Sequence, residues 1–159
     1  MRKIIYIFSI LIFTNIGAII AQNDVKKYDK WVTYYPSNVD LPFSKSELNK
    51  LEEVYDQNLK DQILDRPIRI KDIKDILRNR VYIYQENIKD LSDIGLLSEV
   101  ALFEIYNKKI IRPVFDINNF NPLLYNFNFF SKLKQTYRVD NTNYLIVIKP
   151  RELQWEILS

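Results

Sequence analysis

The pattern of apolar and polar positions changes along this chain, from a nearly continuous apolar run to a helical period and then to a period of two, and these changes divide it into elements. From Ile4 to Ile20 the run is apolar almost throughout, broken by Ser9, Thr14, Asn15 and Gly17. Residues 22–43 carry no sustained period and contain Pro36 and Pro42, which predicts an extended arm. Ser44 and Glu47 are then spaced as a capping box. Behind them Leu48, Leu51, Tyr55, Leu59 and Ile63 form one stripe at helical spacing, which predicts a helix over about 45–63 that ends before Pro67. A second helix is expected over about 70–79. Ile70, Ile73 and Ile76/Leu77 lie on its apolar side, and Lys71, Asp72, Lys74 and Asp75 on a solvated one.

Beyond residue 80 the period shortens. Val81–Tyr84, Val100–Tyr106 and Ile110–Phe115 read as strands, the last forced to an edge or bulge by Pro113. Asp90–Ser98 holds Gly95 and at most a helical turn, and 116–122 is a loop. Tyr125, Phe127 and Phe129 alternate with Asn126 and Asn128, the pattern of a half-buried strand. Gln135–Val139 and Tyr144–Ile148 flank the polar turn Asp140–Asn143, which predicts a hairpin. Its second strand is apolar at every position, hence covered on both faces. Leu153, Trp155 and Ile157 predict a last strand. Helices first and strands second give an α+β fold, with helices 45–63 and 70–79 packed on a mainly antiparallel C-terminal sheet.

The leading apolar run has a specific meaning. Arg2 and Lys3 precede it and Ala21-Gln22 follows it, the arrangement of a secretory signal peptide cut between Ala21 and Gln22. The expected organisation is therefore a signal peptide at 1–21, an aromatic arm at 22–43 and one α+β domain at 44–159. Removing 21 residues of 159 leaves 138, enough for a single core, and the net charge falls from +3 to about +1. Such a near-neutral surface has no footprint for nucleic acid, and no membrane span is expected after leader removal. The chain has no cysteine, which excludes a lipidated N-terminal thiol and disulfide staples.

The same composition narrows the chemistry. Without histidine or cysteine there is no Ser-His-Asp triad, no thiolate nucleophile and no His- or Cys-ligated metal centre. With Gly95 the single glycine after the leader, no Gly-rich phosphate loop can be written. No cofactor and no metal is expected. Carboxylate chemistry stays open, so a glycan hydrolase built on Glu99, Glu104 and Asp116 is one alternative, set against their reading as solvated sheet and loop residues. The oxygen-rich turns 116–119 and 140–143 do not match a calcium-binding loop and read as Asx turns. Trp31, Tyr34 and Tyr35 lie in the arm, where core packing does not claim them, and are the candidate binding residues. The expected function is an exported, non-enzymatic binding or accessory module of the cell envelope. It would act on an unidentified protein partner, with a periplasmic immunity or inhibitor protein as a further alternative.

The leader ending AIIAQ, the stretch FNPLLYNFNFF at 120–130 and the segment YRVDNTNYLIVIKP at 137–150 resemble small exported proteins of flavobacteria-like Bacteroidota. The resemblance implies a Gram-negative envelope, either periplasm or cell surface. It brings no activity, cofactor or catalytic residue with it.

Overall fold

A computed structural model describes residues 30–86 and 93–156, and for Lys30, Trp155 and Glu156 the backbone only. The expected leader, its cut at Ala21-Gln22 and the start of the arm lie outside the described residues, as does Ile157 of the expected last strand. The chain divides into two units, 1–31 with 155–159 and 32–154. The division falls within a two-stranded ribbon of β1 (Lys30–Thr33) and β5 (Leu153–Glu156). The second unit holds the helices, the main sheet and the core.

The fold is α+β, with helices in the N-terminal half and antiparallel strands towards the C-terminus. Helix α1 (Lys45–Tyr55) opens on the expected capping box. The Glu47 amide donates to Ser44 Oγ at 3.2 Å, and the Ser44 amide donates back to Glu47 Oε2 at 2.7 Å. The α-helix is shorter than the stripe predicted. At Asp56 the backbone turns to φ 46°, ψ −131°, and the chain continues to Leu64 in short 3-10 and π turns. These turns keep Ile63 in register with Leu51 and Tyr55, so the stripe is buried although the helix breaks. Helix α2 (Pro67–Asp75) begins three residues earlier than expected. Arg66 is extended, as a residue before proline prefers, and Pro67 sits in the first turn, where its missing N–H costs nothing. A π turn, Ile76–Arg80, delivers the chain to β2 (Val81–Gln85).

The main sheet has the order β2-β4-β3, with β3 (Gln135–Arg138) and β4 (Tyr144–Ile148) forming the expected hairpin. Both pairings are antiparallel, and Asn141 takes the left-handed turn conformation at φ 55°. Central β4 is buried from Leu145 to Ile148, as its all-apolar run required. Ile146 and Ile148 pack with Leu51, Val54, Ile63, Ile73 and Ile76 in one core, so α1 and α2 cover that face of the sheet. Each such side chain contributes about 1.5–3 kcal/mol by leaving water.

Three expected strands, 100–106, 110–115 and 125–129, are absent. The stretch 100–106 touches 124–126 through a single bridge, Leu102 to Tyr125, with the Phe103 amide donating to Leu124 O and the Asn126 amide to Ala101 O, each at 2.8 Å. Segment 125–129 therefore alternates buried and exposed like a strand without belonging to a ladder. Segment 110–115 is irregular: Pro113 offers no N–H, and Ile111 and Val114 are 83% and 94% exposed.

The side of α2 expected to be solvated is largely covered. Lys74 and Asp75 are 6% and 4% exposed. Lys74 Nζ lies 4.9 Å from the Phe43 ring centroid, and Asp75 accepts from Asn79 at 3.1 Å. Only Lys71 keeps the expected exposure, with an outer ion pair to Asp40 at 3.2 Å. The covering chain is the segment 32–43, which no local pattern places there.

Candidate functional site

Residues 35–42 of the arm are held by three polar clamps that all grip α2 and the turn after it. Arg78 donates to both Glu47 carboxylate oxygens, at 2.6 and 2.7 Å, and to the carbonyls of Asn38, Leu41 (3.3 Å) and Pro42 (2.8 Å). The bidentate guanidinium, aided by the Ser44 amide, holds the Glu47 carboxyl down to about 2. Asn38 and Asn79 exchange amide hydrogen bonds at 2.7 and 3.0 Å. Asp72 Oδ1 accepts from the Tyr35 hydroxyl at 2.6 Å and from Arg151 Nη2 at 2.7 Å. Burial, reinforced by the bond to Asp72, pushes the Tyr35 phenol up to about 12.

Of the arm aromatics, these clamps engage Tyr35. Tyr35 is half-buried and engaged with Asp72, whereas Tyr34 and Trp31 are 41% and 64% exposed. Tyr34 donates its backbone amide to Glu152 O at 3.0 Å. The three residues thus differ in setting, and Tyr35 is tied into the body by its hydroxyl.

Arg80 does for the sheet what Arg78 does for the arm. It is 4% exposed, donates to Lys149 O at 3.1 Å and to Phe129 O, and lies 3.9 Å from Asp75 Oδ2. Burial lowers the Arg80 pKa and raises that of Asp75, the direction expected of charges drawn out of water. By anchoring Phe129 O, Arg80 positions the aromatic segment 125–130.

That segment forms one wall of a cleft of about 660 Å³, within the size range of small-molecule sites. Seven of its sixteen lining residues are aromatic. Tyr55, Phe103 and Tyr106 make a cluster with ring centroids 5.2–6.3 Å apart. Tyr125 and Phe127 stack at 5.4 Å, and Phe129 meets Phe127 edge-on at 5.9 Å. Ile63, Ile73, Ile76 and Leu123 close the floor and are buried by one another. The accessible wall is the rim, where Ile105 and Phe130 are 65% and 74% exposed and Asn126 and Asn128 face solvent. Two ionic side chains of α2 also line it, Arg69 and Asp72. Asp72 is already matched to Arg151, whose guanidinium carbon lies 5.1 Å from the Phe130 ring centroid. Arg69 is exposed and has no carboxylate within ion-pair distance among the described residues.

Of the three carboxylates considered for hydrolysis, two are engaged in turns and the third is only exposed. Glu99 is exposed and accepts the Leu96 amide at 3.2 Å, and Glu104 is exposed. Asp116 accepts from the Asn118 amide at 2.9 Å and the Asn119 side chain at 2.6 Å, and these bonds lower its pKa. It lines a smaller cleft of about 350 Å³ with Glu53, which neither Glu99 nor Glu104 lines. The Asp140 carboxylate is satisfied from outside its turn, by the Ser98 amide at 3.1 Å and the Ser98 hydroxyl, while Thr142 makes the bonds within the turn, to Val139 O and from the Tyr144 amide. Among the described residues no group of three or more acids could hold a metal ion, and no helix is long and apolar enough to cross a membrane.

The aromatic cleft could not be assembled from the sequence. Tyr55 reads as helix stripe, Tyr125–Phe129 as sheet core, and Arg69 belongs to no motif. The alternation at 125–129 is the only local signal, and it reports burial without saying against what. Comparison with protein-family models, with curated proteins and with solved structures finds no match for this chain.

Proposed function

We propose that this protein is an exported, non-enzymatic binding module of a Gram-negative cell envelope, and that it binds by admitting an apolar group into the aromatic cleft. The leader motivates the compartment. The cleft carries the binding: a concave, aromatic-walled space of about 660 Å³ with a few polar groups confined to its rim. The acids weighed for glycan hydrolysis are engaged in turns or exposed, which favours binding over catalysis as the reading of this geometry.

The neutral fluorophore N-phenyl-1-naphthylamine provides the test. The mature protein is expected to enhance its emission at one-to-one stoichiometry. Asn126→Trp, which adds bulk at an exposed rim position, should weaken that binding at unchanged thermal stability. Absence of saturable binding, or an Asn126→Trp protein that binds as the parent does, would overturn the proposal.

A further inference from the structure

We infer that the ligand of the aromatic cleft is an amphipathic monoanion, an apolar body carrying one carboxylate-like head that pairs with Arg69; this rests on the cleft being the binding site. The charges at the cleft point to it. Of the two ionic side chains that line it, Asp72 has its charge compensated by Arg151 at 2.7 Å, and the same oxygen accepts the Tyr35 hydroxyl at 2.6 Å. Arg69 stands three residues before Asp72 on α2, a spacing that would allow a pair, yet no ion pair joins them. The acid that Arg69 would otherwise meet is committed to Arg151, so among the described residues the cleft is left with one uncompensated cation.

The remaining lining matches the rest of such a molecule. Asn126 and Asn128 place neutral amide groups at the rim, and the walls below are rings and aliphatic chains. A planar guanidinium presents paired donors to a carboxylate, the geometry a single anionic head requires. A neutral apolar ligand would gain nothing from Arg69, which water solvates. A cationic one would meet Arg69 with repulsion and find the Asp72 charge already compensated by Arg151.

The experiment compares dodecanoate, below its micellar concentration, with 1-dodecanol, below its solubility limit, as displacers of N-phenyl-1-naphthylamine from the mature protein. Dodecanoate is expected to bind about tenfold more tightly than the alcohol, the equivalent of one partly solvated charge-assisted bond. That preference should shrink with added salt, disappear in Arg69→Gln and be reduced but retained in Arg69→Lys, which keeps the charge without the paired donors. Arg69 is exposed, so these variants should fold as the parent does. Equal displacement by acid and alcohol overturns the anionic head and leaves the cleft as a binding site. An Arg69→Gln change that weakens both displacers equally also overturns it, because Arg69 then acts by packing alone. Failure of every probe to bind overturns the site itself. Sedimentation with phosphatidylglycerol vesicles without displacement by monomeric dodecanoate overturns it in favour of a membrane surface.

Discussion

Replacing Arg78 with methionine should destabilise the protein most at neutral pH and less in acid. Methionine keeps an unbranched stem but removes every donor. The Glu47 carboxylate then loses two bonds of 2.6 and 2.7 Å, and the carbonyls of Asn38, Leu41 and Pro42 lose theirs. Both charged side chains are only 15% exposed, so water restores part of the loss at best. The expected cost at pH 7 is about 2–4 kcal/mol. The acid dependence follows from Glu47, whose pKa falls from an ordinary 4.5 to about 2 on folding. A depressed folded pKa stabilises the protein above the unfolded value, and that stabilisation is lost as pH falls from about 4.5 towards 2. At about 1.4 kcal/mol per unit the full shift would amount to ~3 kcal/mol, and solvent screening reduces this to about 1–2 kcal/mol. Urea denaturation of parent and Arg78→Met at several pH values between 7 and 2 measures it. The two stability curves should converge by about 1–2 kcal/mol on acidification, since other titrating acids are common to both. Curves that stay parallel down to pH 2 would show that Glu47 owes its acidity to something other than Arg78.

Tyr35 titrates in the opposite sense: its phenol rises from 10.0 to about 12, so the stability it provides is complete below pH 10 and is lost as pH climbs through 12. Tyr35→Phe should cost about 1–2 kcal/mol at neutral pH and remove that alkaline slope, read by ultraviolet titration alongside thermal melts. Asp56 holds φ 46° and ψ −131°, a conformation that glycine adopts without a Cβ penalty. Asp56→Gly should therefore raise stability by about 1 kcal/mol in calorimetry, and a lower Tm would show that the turn is not strained.

The sequence was sufficient wherever a pattern has a local physical cause. The capping box at Ser44 and Glu47 needs only first-turn amides, and it forms as read. The hairpin across Asp140–Asn143 follows from its turn residues and flanking β-branched runs, and the burial of Leu145–Ile148 follows from a stretch with no polar side to show to water. The α+β order is visible for the same reason, because period 3.6 and period 2 occupy different parts of the chain. Periodicity could not reveal which surfaces meet. Lys74 and Asp75 carry charges that a lone helix would show to solvent, and they are buried because residues 32–43 lie across them under the hold of Arg78, Asn79 and Asp72. Segments 100–106 and 125–129 have strand-like composition, yet they share one bridge, since a ladder requires a partner in register along its length.

The cleft and its uncompensated Arg69 are products of that same assembly. Aromatic residues from α1, from 103–106 and from 125–130 become one wall only after Arg80 pins Phe129 against the sheet end. Among the described residues Arg69 has no acid in ion-pair distance, and the nearby Asp72 is paired with Arg151, 79 residues beyond it. Local periodicity fixes which side chains leave water, since that depends on neighbours three, four or two residues away. Tertiary contact alone decides which charges find partners, because those partners arrive from distant parts of the chain.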